Sequence, residues 1–351
     1  MPGPPARRRL PHHPVTPHPV PPGYFRISPD DGRLCWTGRV LFSEGVARFD
    51  WPGVSLAFRF RGGAFALELA DGNNDYDLVL DGDPLDPWRT RAGETLRIFE
   101  GLREGRHEFR LAKRTEASYG EASFRGLLLP EGASLLEPPP RPGRRIEFIG
   151  DSLVCGYGVE GNNPLCPGCR RLENVHRSYA GLAAAELGAE ARYIAWSGKG
   201  VVRNYGDPGE RGSETIPAIY ERLLAGRPGP VNDFAAWTPH LVVLQCGSND
   251  FTTEPQANPE SWIETYSGFA LRALSRYSNA RLLCASSLDL FKGCIEEAVG
   301  RIRLRSGQTV PLVQWGKRNI RELGCDYHPN VRAQRGMADR FIPAVRELMG
   351  W

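Results

Sequence analysis

Lysine is scarce in this chain. It occurs only at 113, 199, 292 and 317, so nearly all of the positive charge is arginine. The formal net charge is only +3 and is spread along the chain. No basic block stands out beyond the N-terminal tail, which speaks against nucleic acid as the main partner. No run approaches the ~18 apolar residues of a membrane span, so a membrane helix is not expected. The N-terminus also lacks the apolar stretch of about 7–15 residues that a secretory signal needs, so the cytoplasm is the expected location. Eight cysteines are present, but Cys166-Pro-Gly-Cys169 is the only CxxC pair. Zinc needs two further ligands, and neither a second CxxC nor a close His pair supplies them. The CxxC therefore reads as a loop that merely contains cysteine or is locally disulfide-bonded, with metal and redox roles less favoured. Cys155, Cys246, Cys284 and Cys325 lie in or beside apolar segments, where a free cysteine behaves as a small hydrophobe.

What is present divides the chain. Its 351 residues exceed the roughly 250–300 at which single cores stop growing, so more than one domain is expected. Residues 1–22 hold nine prolines and the run Arg7-Arg8-Arg9. Such a segment cannot bury enough apolar surface to offset its ordering entropy, and it reads as a disordered tail. Residues 23–137 read as all-β. Val54 to Phe60 and Phe65 to Leu69 alternate apolar and polar, and turn signals such as Arg61-Gly-Gly63 and Asp71-Gly-Asn73 separate short runs. This spacing predicts a β-sandwich or jelly roll. Residues 138–144 are a proline-rich linker, extended and fairly stiff.

From 145 to 351 strands alternate with helices. Strands are expected at Ile146 to Ile149, Ala191 to Trp196, Leu241 to Cys246 and Arg281 to Ala285. Helices are expected at Tyr179 to Leu187, Thr215 to Leu224, Trp262 to Tyr277 and Val331 to Met349. That order implies an α/β domain with a parallel sheet covered on both faces. Sites in such sheets form just past the strand C-termini. There the chain places Gly150-Asp151-Ser152-Leu153, then Ser197-Gly198, then Gly247-Ser248-Asn249-Asp250. Asp326-Tyr327-His328-Pro329 follows before the last helix. Ester hydrolysis needs a nucleophile, a base to take its proton, and donors for the developing oxyanion. These four segments supply that set without a metal or cofactor.

The same four segments, in this order, resemble the conserved blocks of SGNH (GDSL) hydrolases. A sandwich placed before the hydrolase domain resembles carbohydrate esterase family 2. So do the phrases Arg145-Ile-Glu-Phe-Ile-Gly-Asp-Ser152, Ala195-Trp-Ser-Gly-Lys-Gly200 and Gly324-Cys-Asp-Tyr-His328. The resemblance implies a flavodoxin-like SGNH domain, and a serine esterase that removes O-acetyl groups from a carbohydrate of the xylan, mannan or glucomannan type through an acetyl-enzyme. It assigns Ser152 as nucleophile and as one oxyanion donor through its own N–H. Gly198 N–H and the Asn249 amide are the further donors, and His328 is the general base and later acid. General SGNH enzymes carry the triad Asp three residues before the His. Here that position is Cys325, and Asp326 stands two before His328. The resemblance leaves open whether the Asp326 carboxylate or a backbone carbonyl orients the imidazole. A locally extended stretch would put Asp326 and His328 on one side, with Tyr327 facing the other way as a sugar-stacking surface.

Blander readings compete. Ser152 is also a good helix N-cap type, and Asn249-Asp250 a good turn. His176 has no disqualifying position, but the resemblance gives it no role. Gly156-Tyr-Gly-Val-Glu-Gly161 fits G-x-G-x-x-G, yet Gly156 lies seven residues beyond the strand and Asn162-Asn163-Pro164 follows where a helix should open, so no dinucleotide site is expected. At the level of function, the alternatives are an SGNH esterase or lipase acting on lipid or small acyl esters, and a sugar-binding protein with a degenerate hydrolase domain.

Overall fold

The computed structural model describes residues 19–92, 95–168, 170–286, 291–316 and 320–351. Most of the expected tail, residues 1–18, lies outside the described residues, as does Cys169.

The first half forms two antiparallel sheets from β1 (Tyr24–Ile27), β2 (Cys35–Thr37), β3 (Leu41–Ser43), β4 (Val46–Phe49), β5 (Ser55–Arg61), β6 (Phe65–Ala70), β7 (Asp75–Leu80), β8 (Asp83–Arg89), β9 (Leu96–Phe99), β10 (Arg106–Lys113), β11 (Ala122–Pro130) and β12 (Ser134–Leu135). One sheet runs β3-β4-β11-β6-β9, with β1 also on β11. The other runs β12-β5-β10-β7-β8, with β2 also on β5. Alternation decides which side chains meet. Leu56, Phe58 and Phe60 of β5 point inward and are fully buried, while Arg59 between them reaches Glu108 at 2.7 Å. Phe58 meets Phe65 of the opposite sheet at 5.5 Å between ring centroids, and Phe65 meets Phe109 at 4.8 Å.

The second half is a five-stranded parallel sheet of β13 (Arg144–Gly150), β14 (Ala189–Ala195), β15 (Leu241–Gln245), β16 (Arg281–Ser286) and β17 (Leu312–Gln314), in the order β14-β13-β15-β16-β17. Among the described residues its helices are α1 (Ser152–Cys155), α2 (Tyr179–Glu186), α3 (Ile216–Ile219), α4 (Asn249–Thr252), α5 (Pro259–Ser275), α6 (Lys292–Ser306) and α7 (Val331–Met349). Both faces of the sheet are buried. Leu241 and Val243 pack with Phe341 of α7, whereas Val242 and Leu244 pack with Trp262 and Tyr266 of α5. This is why β15 reads as a continuous apolar run. The strand order is the flavodoxin-like 2-1-3-4-5, whose switch point lies beside the first strand.

Three elements of the second half differ from expectation. The helix expected over 215–224 is only α3. Arg39, from the sandwich, donates to the carbonyls of Tyr220 and Arg222, and the chain then bridges Arg222 to Val231. Carbonyls that would continue the helix are thus taken by another domain. Conversely, α6 and β17 lie where the sequence pattern predicts no element, although Ile295, Ala298, Val299 and Ile302 make a buried stripe at helical spacing.

The two halves are joined through buried polar groups. Arg39 lies over Tyr220 and Phe234 at 5.2 and 5.5 Å and reaches Glu147 of β13 at 3.4 Å. Asp50 accepts from the N–H groups of Ala225 and Gly226 at 2.9 and 2.7 Å. Lys113, fully buried, donates to the carbonyls of Asp50, Thr115 and Glu116 at 2.9, 2.5 and 3.1 Å. Burial pulls its pKa down to about 8 from 10.5. Between those values the unfolded chain holds a proton that the folded chain has released, so this group makes stability rise with pH there. Denaturation midpoints of wild type and Lys113→Met, compared at pH 8 and 10.5, should therefore diverge in favour of wild type by up to about 3 kcal/mol as pH rises. A constant difference would mean that Lys113 titrates alike in the folded and unfolded chain.

Candidate active site

Three strand ends flank the switch point, and each carries one of the expected segments. β13 ends at Gly150, and Asp151 caps α1 by accepting from Leu153 N–H at 3.2 Å. Asp151 is also held by Gln245 Nε2 at 3.3 Å and by Ser248 Oγ at 3.0 Å. The short helix therefore starts at a fixed place, with Ser152 as its first residue. An N–H in a first helical turn has no intrahelical partner, which leaves that of Ser152 available to a ligand.

The end of β15 is shaped by Gly247. Its φ is +116°, and a Cβ there would sit 2.4 Å from the Trp262 ring, so only glycine fits. The turn delivers Asn249, whose Nδ2 donates to Lys199 O at 2.9 Å. That bond uses one of the two amide hydrogens and fixes the plane of the other. Asp250, buried next to it, accepts from the N–H groups of Val201, Val202 and Arg203 at 2.7–3.2 Å. After β14 the chain turns at Gly198, with φ +78°. Tyr205 N–H binds the Gly198 carbonyl at 2.8 Å.

His328 arrives from the far end of the chain. Its Nε2 lies 2.8 Å from Ser152 Oγ, and its Nδ1 lies 2.8 Å from the main-chain oxygen of Asp326. A carbonyl only accepts, so Nδ1 carries the hydrogen and Nε2 presents its lone pair to the serine hydroxyl. The Tyr157 ring meets the imidazole edge-on at 4.7 Å. This arrangement can draw the proton from Ser152 and return it to a leaving group.

The Asp326 expectation is corrected in detail. Residues 325–327 are not extended but form a tight turn, with Asp326 and Tyr327 both left-handed at φ +51° and +57°. The residue two before His328 therefore offers its carbonyl to the ring, while its side chain is exposed. Neighbouring backbone holds the turn in this shape. Asp326 N–H donates to Cys166 O at 2.9 Å, Tyr327 N–H to Pro164 O at 3.3 Å, and Cys325 N–H to Gly158 O at 3.2 Å. A Cys166–Cys325 disulfide, closing 159 residues of sequence, pins the same contact. Cys325 is thus not the free apolar thiol expected, and Cys166 bonds to a distant residue rather than within its CxxC. Spacing gave no signal for this pairing, because only the fold brings 166 and 325 together.

Tyr327 and His176 are the remaining candidates. Tyr327 is 56% exposed, beside His328. His176 is half-buried and packs edge-on to Tyr193 at 6.5 Å. Among the described residues no group of three or more His, Cys, Asp or Glu is placed to hold a metal ion. Glu116 is a residue that sequence reasoning missed. It belongs to the sandwich, yet its carboxylate accepts from Ser197 N–H at 2.6 Å.

Comparison with known proteins matches a family model to each half of the fold. Residues 36–139 match the model of the carbohydrate esterase 2 N-terminal domain, and residues 146–341 match GDSL-like lipase/acylhydrolase. The chain is 32% identical over 336 residues to a cellulase/esterase of Acetivibrio thermocellus, a match covering 92% of this chain and 40% of that protein. It is 28% identical to an acetylxylan esterase/glucomannan deacetylase of Cellvibrio japonicus, covering 89% of this chain and 90% of the relative. Among solved structures, a family two carbohydrate esterase from Clostridium thermocellum in complex with cellohexaose superposes with a TM-score of 0.83 at 32% identity, covering 91% of this chain and 99% of that one.

Asp326→Asn separates the two ways of orienting His328. Asparagine tolerates a left-handed backbone and keeps the carbonyl, but removes the carboxylate charge. The expected kcat stays within about threefold of wild type, whereas the same change in a strict Ser-His-Asp triad costs about 10⁴. Steady-state kinetics on 4-nitrophenyl acetate decides between them, and a loss near the larger figure would return the orienting role to the side chain.

Proposed function

The chain belongs to the GDSL-like lipase/acylhydrolase family, in the group of family 2 carbohydrate esterases, and on that premise we propose that Ser152 and His328 remove O-acetyl groups from a xylan, mannan or glucomannan type of saccharide. It is a carboxylic ester hydrolase. The observation that carries the residue assignment is the 2.8 Å contact between His328 Nε2 and Ser152 Oγ, with the other ring nitrogen facing a carbonyl.

The cycle follows from these atoms. His328 takes the Ser152 proton as Oγ attacks the acetyl carbon. The negative charge on the tetrahedral intermediate falls to the N–H groups of Ser152 and Gly198 and to the second hydrogen of the Asn249 amide. His328 then protonates the departing sugar hydroxyl, leaving an acetyl-serine. Water, deprotonated by the same imidazole, attacks that ester, and acetate leaves as the proton returns to Ser152. Preorganised donors of this kind are worth about 10²–10³ in rate each. No described helix is long and apolar enough to cross a membrane. The Cys166–Cys325 bond favours an oxidising working compartment over the cytoplasm expected from the N-terminal residues.

Acetate release from acetylated xylan and acetylated glucomannan tests the reading directly. Wild type should release acetate from at least one of them and should be far slower on long-chain acyl esters; preference for long chains would favour the lipase-like alternative. Ser152→Ala should lose nearly all of this activity while remaining folded, and a retained rate would remove Ser152 from the chemistry. Tyr327, exposed next to His328, is proposed to stack on the sugar. Because its backbone is left-handed, Tyr327→Asn is a fairer variant than Ala. It should reduce kcat/KM on an acetylated oligosaccharide about tenfold, corresponding to about 1.4 kcal/mol of stacking, and leave 4-nitrophenyl acetate almost unaffected. Equal losses on both substrates would argue against a sugar surface there.

A further inference from the structure

Glu116 reaches the catalytic loop from the other domain. It follows β10, directly after a stretch tied down on every side. Thr115 Oγ1 donates to Asn74 Oδ1 at 2.6 Å, and the Arg114 carbonyl receives Val175 N–H at 3.1 Å. Glu116 N–H donates to Glu173 Oε1 at 2.6 Å, and its carbonyl receives Lys113 Nζ at 3.1 Å. The residue is 3% exposed. One carboxylate oxygen accepts from Ser118 Oγ at 2.6 Å, and the other from the backbone N–H of Ser197, also at 2.6 Å. A charged acceptor at that distance makes one of the stronger hydrogen bonds available to a backbone amide.

Ser197 immediately precedes Gly198. The peptide that joins them carries the Gly198 N–H, and glycine lets that peptide rotate readily. On one side of it, Ser197 N–H is held by Glu116. On the other, Gly198 O is held by Tyr205 N–H at 2.8 Å and Lys199 O by Asn249 at 2.9 Å. The Gly198 N–H itself has no acceptor among the described residues. Fixing both flanks fixes the direction in which this free donor points.

We propose that Glu116 of the N-terminal sandwich is a positioning residue for the oxyanion donor Gly198, so that the sandwich is a structural part of the catalytic centre. The inference rests on the esterase reading of Ser152, Gly198 and Asn249. Its physical content is preorganisation: a donor already aimed costs no reorganisation as charge develops, whereas one on a loose peptide must be ordered during the reaction. The acceptor oxygen rather than the negative charge is what the geometry requires. Glutamine, which keeps an acceptor of the same reach, should therefore replace glutamate, and alanine should not.

The test compares wild type, Glu116→Ala, Glu116→Gln and Asn249→Ala on 4-nitrophenyl acetate. Rates are expressed per active site, counted by complete labelling of Ser152 with a fluorophosphonate, so a misfolded fraction lowers the count and not the rate. Glu116→Ala should lower kcat per labelled site by about 10–10² with KM within about threefold, and Glu116→Gln should return to within about threefold of wild type. Asn249→Ala should fall by about 10²–10³ and serves as the reference for a lost donor. If Asn249→Ala slows but Glu116→Ala keeps the wild-type kcat per site, or loses only KM, the esterase reading stands and this proposal falls. If neither variant slows, the oxyanion assignment itself fails and takes this proposal with it.

Discussion

His328 sits between two oxygens at 2.8 Å, one a serine hydroxyl and the other a main-chain carbonyl. The imidazole can serve as a base only if the nitrogen facing Ser152 is bare, and the carbonyl at Asp326 secures that by requiring a hydrogen on the other nitrogen. A side-chain carboxylate would do the same and add charge. A carbonyl does it with geometry alone, so the burden shifts to whatever holds the backbone. Here two consecutive residues are left-handed without being glycine, a conformation that costs free energy and persists only where its surroundings impose it. The surroundings are the loop that follows the short helix opened by Ser152, which receives three backbone hydrogen bonds and a disulfide from the His-bearing turn. Ser152 and His328 thus share one support, although 176 residues separate them in the chain.

The sandwich is less separable from this centre than a binding module on a linker. Arg39, Asp50 and Lys113 are buried at its junction with the parallel sheet, and each binds groups of the other domain or holds the backbone that does. Buried charges of this kind give little net stability, because desolvation offsets most of the attraction. Their geometric demand is high, however, since each must keep its partners. Glu116 extends the same junction to the backbone N–H of Ser197.

Much of the fold was legible. Alternation in Val54 to Phe60 and in Phe65 to Leu69 marked sheets with one face buried, and the apolar run Leu241 to Cys246 marked a strand buried on both. The helix expected over Val331 to Met349 has those bounds, between caps at Asn330 and Gly350, whereas the one expected from Trp262 begins a turn earlier, at Pro259 behind the Asn258 cap. The overlong reading of α3 failed because its carbonyls are claimed by an arginine about 180 positions away, which no local pattern reports. The omission of α6 had a signal available, since its buried residues follow helical spacing in an otherwise charged segment.

The class of fold and the three strand-end segments were readable without the structure, because both rest on local rules: side-chain periodicity sets strands and helices, and strand ends in a parallel sheet place their loops on one edge. The tertiary structure decided everything that depends on two distant segments touching. It chose the Asp326 carbonyl rather than its carboxylate, paired Cys166 with Cys325 rather than with its near neighbour, and brought Glu116 from one domain to the amide of Ser197 in the other. Such contacts are set by how whole sheets and loops pack, and their distances in space bear no relation to their spacing in the chain.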